Sequence, residues 1–322
     1  MKTKPIRFAT FLFSLLCPVV VFAQAAYPSR TISFVVPMSP GGPPDVVSRL
    51  VIPQMAAPLG VPIIVENRPG AGGAVGATVV AKSAPDGYTV LAVTNNALSV
   101  IPATRKDLEY SLKDFAAIGG FAVDPGVFVT KVSDGWKTME GLIEHIRKNP
   151  GKLSYGSAGV GTTTHLAMEA VKARYGIDVV HVPFNGTQPA KMGLIGGHIQ
   201  IAVGPVSVMR PNIRSGELIA LVTTSRTRIA DMPNVPTVSE AGAPQASFSL
   251  WLGLFVPAKT PKPVVDRLSA ALAGALKDQK VLESAEKSGM LLEMTEPAQT
   301  ISRLQAEFDS VTELAKTVKL TQ

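Results

Sequence analysis

The side chains best suited to chemistry are few: Ser157, set among small residues, and histidines at 145, 165, 181 and 198. A serine beside a histidine can act as nucleophile and base. A strand-to-helix nucleophile turn needs G-x-S-x-G, however, and Tyr155 occupies the place of the first glycine. Ser157 is therefore read as a hydrogen-bond donor to a ligand, and no catalytic residue is expected. His165 and Glu169 stand four apart, as a helical metal-ligand pair would, but no H-E-x-x-H occurs. The pair is read as a solvated or capping contact, with His165 orienting the adjacent loop. No metal and no cofactor are expected. His198 follows Gly196-Gly197 and reads as an exposed turn residue.

Another chemistry is available to the same stretch. Ser154 to His165 reads as a strand end, a loop of small residues and a helix start, with Leu166, Ala170 and Ala173 continuing at helical spacing. Thr162, Thr163 and Thr164 are all N-cap types. A helix start carries unpaired N–H groups and the positive end of its dipole, so it can hold a carboxylate or phosphate without a charged side chain.

The elements that position this loop recur along the chain. The strand within 31–36 runs into Pro37-Met38-Ser39-Pro40-Gly41-Gly42, with Asp45 expected to cap the following helix and Pro53 to kink or shorten it. A strand at 61–65 leads into the glycine-rich loop 67–73 and a small-residue helix at 74–81. Its glycine spacing is not that of a dinucleotide turn. The strand at 88–93 ends in Thr94-Asn95-Asn96. Later strands end in Pro183-Phe184-Asn185-Gly186 and in Gly204-Pro205-Val206-Ser207. Repeated strand, loop and helix argue for α/β sheets, which bind ligands beyond the carboxyl ends of their strands. A strand over 121–130 broken by Asp124-Pro125-Gly126 marks a crossing into a second domain, and 251–256 reads as a return strand. A long helix lined by Ile301, Leu304, Phe308, Val311, Ala315 and Val318 is expected to pack on the first domain, in a C-terminal segment with no strand of its own.

The 322 residues open with Lys2, Lys4 and Arg7, an apolar run over 8–22, and Ala23-Gln24-Ala25. That is the pattern of a secretory signal cleaved after Ala25, with a run shorter than a membrane span. The single cysteine, Cys17, falls inside the signal, so the mature chain is expected to hold no disulfide and no thiol nucleophile. Losing the three basic residues lowers the net charge from +7 to +4. A mild positive charge favours anionic partners. No basic stripe with interleaved aromatics is present, so nucleic acid is not an expected partner.

Taken in order, several motifs resemble the Bug-type receptors of tripartite tricarboxylate transporters. They include Val35-Val36-Pro37 with Pro40-Gly41-Gly42, Glu66-Asn67-Arg68-Pro69-Gly70-Ala71-Gly72-Gly73, Pro85-Asp86-Gly87-Tyr88, Asn149-Pro150-Gly151, Ser157-Ala158-Gly159-Val160-Gly161-Thr162, His181-Val182-Pro183-Phe184 and Glu240-Ala241-Gly242. The resemblance implies a two-lobed α/β fold of the type II periplasmic-binding-protein kind, a Venus flytrap whose lobes are mixed, mostly parallel sheets flanked by helices. Its divisions would be a signal at 1–25, one lobe at 26–123 plus 248–322, the other at 124–247, and a ligand cleft between them. It implies a periplasmic, monomeric receptor that takes a small organic acid or related polar metabolite and hands it to membrane transporter subunits. A ligand sensor for a membrane signalling partner, or a periplasmic hydrolase, are the alternatives.

The implied ligand set is Met38, Ser39, Gly41, Gly42, Thr94 and Asn95 from one lobe. The other lobe gives Ser157, Gly159, Gly161, Thr162, Thr163, Phe184, Asn185 and Gly204, acting through backbone amides, hydroxyls and waters. Three positions depart from the family pattern: Met38 replaces an aromatic, Asn185 a lysine, and Gly204-Pro205 an Asp-Asn-type pair. These departures imply a less charged or bulkier ligand.

Overall fold

A computed structural model describes residues 27–38, 40, 43–288 and 290–317. The signal segment and its cleavage point, together with Ser39, Gly41 and Gly42, lie outside the described residues.

Strand β1 (Ile32–Val36) has all its positions buried except Ser33. Such a run suits an interior strand of a parallel sheet covered on both faces. Helix α1 (Pro43–Val51) starts on two prolines, placed where a missing N–H breaks no helical bond. Pro53 ends it: the chain turns through a 3₁₀ segment (Ile52–Met55) into the short α2 (Ala56–Leu59). Strand β2 (Ile63–Asn67), helix α3 (Ala74–Ala81) and strand β3 (Thr89–Thr94) follow. A π-helical turn (Asn96–Val100) then runs into α4 (Ile101–Thr104), and β4 (Phe115–Asp124) completes this part.

Only Pro125 separates β4 from β5 (Gly126–Lys131). The second part continues as α5 (Met139–Lys148), β6 (Ser154–Ser157), α6 (Thr163–Tyr175), β7 (Val180–Pro183), α7 (Thr187–Ile195), β8 (Ile201–Pro205), α8 (Val206–Arg214) and β9 (Leu218–Thr223). The chain then returns through β10 (Leu250–Pro257), α9 (Lys262–Ala275), α10 (Gln279–Ser288), β11 (Leu291–Thr295) and α11 (Pro297–Thr317).

Two sheets result, ordered β11-β4-β10-β3-β1-β2 and β7-β6-β8-β5-β9. In both, a parallel trio is followed by one reversed strand, β10 in the first and β5 in the second. Each reversed strand is the one that arrives from the other sheet. A chain entering at the edge where neighbouring strands end must run back against them. The registers locate those entries: Leu250 lies opposite Asp124, and Gly126 opposite Pro205. The carboxyl ends of both sheets therefore meet at the two crossovers.

Each sheet has a core on either face. Phe34, Phe121 and Leu272 pack on one side of the first, and Leu91, Trp251 and Phe255 on the other. Phe128, Tyr155 and Leu166 fill one side of the second, and Val129, Ile199 and Met209 the other.

Four expectations need correction. Asp45 is the third residue of α1 rather than its cap. Its buried carboxylate accepts from Arg49 Nε at 3.1 Å and from Asn67 Nδ2 at 2.7 Å. The C-terminal segment does have a strand: β11 pairs antiparallel with β4 as an edge strand, and its partly exposed side chains gave no clean alternation to read. Strand β4 begins at Phe115, earlier than the apolar run suggested, because Gly119 and Gly120 interrupt its pattern. Helix α11 packs on β4 and α4 as expected, but it also sends Val311 into the core of the second sheet.

Candidate functional site

The loop after β6 is held by its own polar groups. Gly159 and Gly161 take φ of 131° and 73°, values a side chain would strain. Thr162 caps α6, accepting from His165 N at 3.4 Å, while its hydroxyl donates to Gly159 O at 2.8 Å. Thr164 Oγ1 accepts from Ala158 N at 3.0 Å. The amides of Thr163 and Thr164 in the first turn have no acceptor among the described residues. Phe184 N donates to Ser157 O and Gly186 N to Ala158 O, each at 3.2 Å, so the loop after β7 lies against this one.

Ser157 is fully buried, and its Oγ lies 2.7 Å from His181 Nε2. Behind it the His165 and His181 rings stack with centroids 4.1 Å apart, and Tyr155 stacks on the far face of the layer at 4.7 Å from His181. His165 Nδ1 accepts from Gly161 N at 3.0 Å, so this ring is neutral and does orient the loop. Glu169 closes the network, accepting from Tyr155 Oη at 2.6 Å and Lys172 Nζ at 2.7 Å. His165 and Glu169 are thus buried, not solvated as expected. Burial and the neighbouring His165 push the His181 pKa down to about 4. Burial lowers that of His165 as well. Glu169, also at hydrogen-bond distance from Tyr155, joins burial in holding the tyrosine hydroxyl in its protonated form.

As a serine–histidine dyad the arrangement is incomplete. No carboxylate contacts His181 Nδ1 among the described residues, and no group of three His, Cys, Asp or Glu side chains there could hold a metal. Ser157 is locked between His181 and the Gly159 backbone.

Phe184 is half-buried under this loop, where a Cβ on Gly156 would come within 3.0 Å of its ring. Asn185 is exposed. Gly204, at the end of β8, allows a close approach: a Cβ there would meet Met209 Cε at 2.5 Å and Thr187 Cγ2 at 2.6 Å. On the first sheet, Met38 is half-buried and its carbonyl accepts from Asn67 Nδ2 at 2.9 Å. Thr94 is buried at the end of β3. Asn95 is committed to the fold: its amide nitrogen donates to Ser249 O and Glu307 Oε2, and its oxygen accepts from Trp251 N at 3.2 Å.

Two acids at this junction were not singled out from the sequence. Asp124 ends β4, fully buried, and accepts from the Ser207 amide and hydroxyl at the start of α8. Burial raises its pKa to about 6. The Asp124-Pro125-Gly126 break was legible; the burial of its acid was not. Glu307 accepts from Asn95, Ser99 and Trp251 Nε1, the last at 2.6 Å, and burial raises its pKa too. It stands three residues after Leu304 and one before Phe308, and no local signal marks it.

Two α/β lobes joined by paired crossovers, with strand ends converging on the junction, make this a two-lobed periplasmic-binding-protein fold. A structure of a periplasmic transporter is similar at 38% identity, covering 90% of this chain and 98% of its own, with a TM-score of 0.78. MatC from Rhodopseudomonas palustris, solved with bound malate, is similar at 30% identity, covering 89% and 99%, with a TM-score of 0.74. A UPF0065 protein encoded in the TAR-I ttuE-ttuC' intergenic region of Agrobacterium vitis is 35% identical over 96% of this chain and 90% of its own length. The chain belongs to the tripartite tricarboxylate transporter receptor family, whose family model matches residues 47–320. That family consists of solute-binding transport receptors, not enzymes.

Proposed function

We propose that this chain is a periplasmic receptor that captures a small carboxylate between lobes formed by 26–123 with 248–322 and by 124–247, and passes it to membrane transporter subunits. The observation that carries the reading is the start of α6. Two first-turn amides without acceptors among the described residues sit beside the Thr162 cap and the Ser157 loop, at the carboxyl edge of a sheet. A carboxylate satisfies such amides and the helix dipole together. Thr163 supplies a further contact from this side, while Gly159 and Gly161 set the shape of the loop, their amides being taken by Ser157 Oγ and His165 Nδ1. From the first sheet the proposed set takes Met38 and Thr94, with Asn95 shaping the wall; Ser39, Gly41 and Gly42 belong to the same proposed set and lie outside the described residues. Phe184, Asn185 and Gly204 border the second-lobe side. The malate held by MatC makes four-carbon dicarboxylates the first class to try.

The test is a thermal-shift screen of the mature protein against mono-, di- and tricarboxylates, aromatic acids and neutral amides. A ligand that binds only the folded state raises Tm by mass action. A clear rise with one acid, repeated by calorimetry at one site per chain, is the expected outcome. A flat response to every acid at millimolar concentration would overturn the reading.

A further inference from the structure

A second pocket lies behind the crossovers. Its volume is about 320 Å³, and it is walled by the 224–249 connection on one side and α11 on the other. It shares no residue with the cleft set above. Arg226 and Arg303 both line it, with Thr224, Gln245, Ser247 and Ser310 around them.

The two guanidiniums are not used up by the fold. Arg226 is exposed and makes no ion pair or side-chain hydrogen bond among the described residues. Arg303 is held firmly but incompletely. Its guanidinium stacks over the Trp251 ring at 4.7 Å, and only Nε reaches a partner, Glu307 Oε1 at 3.4 Å. Its two terminal amino groups have no acceptor among the described residues. Glu307 also lines the pocket, but its oxygens already take three donors from Asn95, Ser99 and Trp251. Burial, first, and the nearness of Arg226 act against the charge on Arg303, while Glu307 and Glu293 favour it, so the two cations repel across a space that also holds acid charge. A planar guanidinium fork with free donors, pre-set by stacking, is the group proteins use for oxyanions.

The geometry points to a binding site for a compact, multiply charged oxyanion in this pocket, held between Arg226 and Arg303 and finished by the hydroxyls of Ser247 and Ser310. Sulfate, phosphate and short dicarboxylates share that chemistry. A bound anion cancels the repulsion between the two arginines. It also ties α11 to the crossover connection, because Arg303 and Ser310 belong to the helix and Arg226 and Ser247 to the connection.

The probe is selenate, which diffracts anomalously and has the shape of sulfate. Crystals grown without sulfate or phosphate are soaked in it. In solution, the arginine side-chain N–H signals are titrated with selenate, and backbone amide exchange is followed over 224–249. The expected results are an anomalous peak between the two guanidiniums, saturable binding, slower exchange in the connection, and about a tenfold loss of affinity in Arg226→Ala. Arg226→Lys should recover part of it. Absence of a peak overturns the proposal. A peak with no saturation in solution, or with Arg226→Ala binding as well as the parent, also overturns it and leaves an adventitious ion only. Repeating the titration with phosphate and with succinate assigns the natural class, the tighter of the two marking it. Carboxylate binding in the cleft is scored by running the thermal-shift screen on Arg226→Ala as well as on the parent, a shift that persists in the variant belonging to the cleft, so either reading can fail alone.

Discussion

The Ser157 hydroxyl and the His181 ring form one 2.7 Å hydrogen bond, and the rest of the buried network under the α6 loop is arranged around it. His181 is clamped between His165 and Tyr155, so the serine cannot turn away without losing a partner it cannot replace. The bond fixes the loop that carries the free amides of α6.

Replacing Ser157 with Ala should weaken carboxylate binding roughly three- to tenfold, the size of one neutral hydrogen bond, while circular dichroism stays native. Calorimetric titration with the ligand found by thermal shift provides the check. Unchanged affinity would remove Ser157 from the site.

The pH dependence of stability should carry opposite signs from His181 and Asp124. The folded pKa of His181, about 4, lies below its ordinary 6.5, so the unfolded chain binds more protons between those values and stability is lost as pH falls through them. Asp124 goes the other way. Its folded pKa of about 6 lies above the usual 3.8, so it favours the fold most at low pH and that contribution is lost as pH rises towards 6. Urea melts from pH 4 to 7 on His181→Gln should show a shallower fall towards acid than the parent, and Asp124→Asn a steeper one. Parallel curves for all three proteins would contradict the assignment.

Glu307→Ala should cost about 2–4 kcal/mol, because it strands donors from Asn95, Ser99 and Trp251 at once. Glu307→Gln, which keeps one of the two acceptor oxygens, should cost less. Urea denaturation gives the numbers, and tryptophan emission should shift as the Trp251 indole loses its partner.

Gly204→Ala should lower stability by about 1–3 kcal/mol, since the added methyl runs into Met209 and Thr187. A second change, Met209→Ala, should restore part of the loss. No recovery would mean that the crowding is set by Thr187 at the start of α7.

Much of this architecture can be read in the chain before it is folded. Strong apolar runs such as 34–36 and 251–256 mark the interior strands, because both faces of those stretches are buried and no polar residue interrupts them. The loop from Ser157 to Thr162 is legible for a related reason: its glycines and threonines are needed by local backbone geometry, which leaves a local mark. The polar network beneath it is not. Tyr155, Glu169, Lys172 and His181 come from two strands and a helix and meet only through tertiary packing. Glu169 has the sequence surroundings of an exposed helical acid, yet it is buried. Strand β11 escaped for the reverse reason, being an edge strand whose side chains are too exposed to pattern.

Helix α11 places Leu304 in the core beside the first sheet and Val311 in the core beside the second. The last described element is therefore shared by both halves. Neither half is fully buried until α11 docks, so the docking of this helix, rather than completion of the first sheet, is the step at which the molecule can become cooperative. In a calorimeter the two halves should melt as one transition, and trimming the chain before Val311 should split it into two.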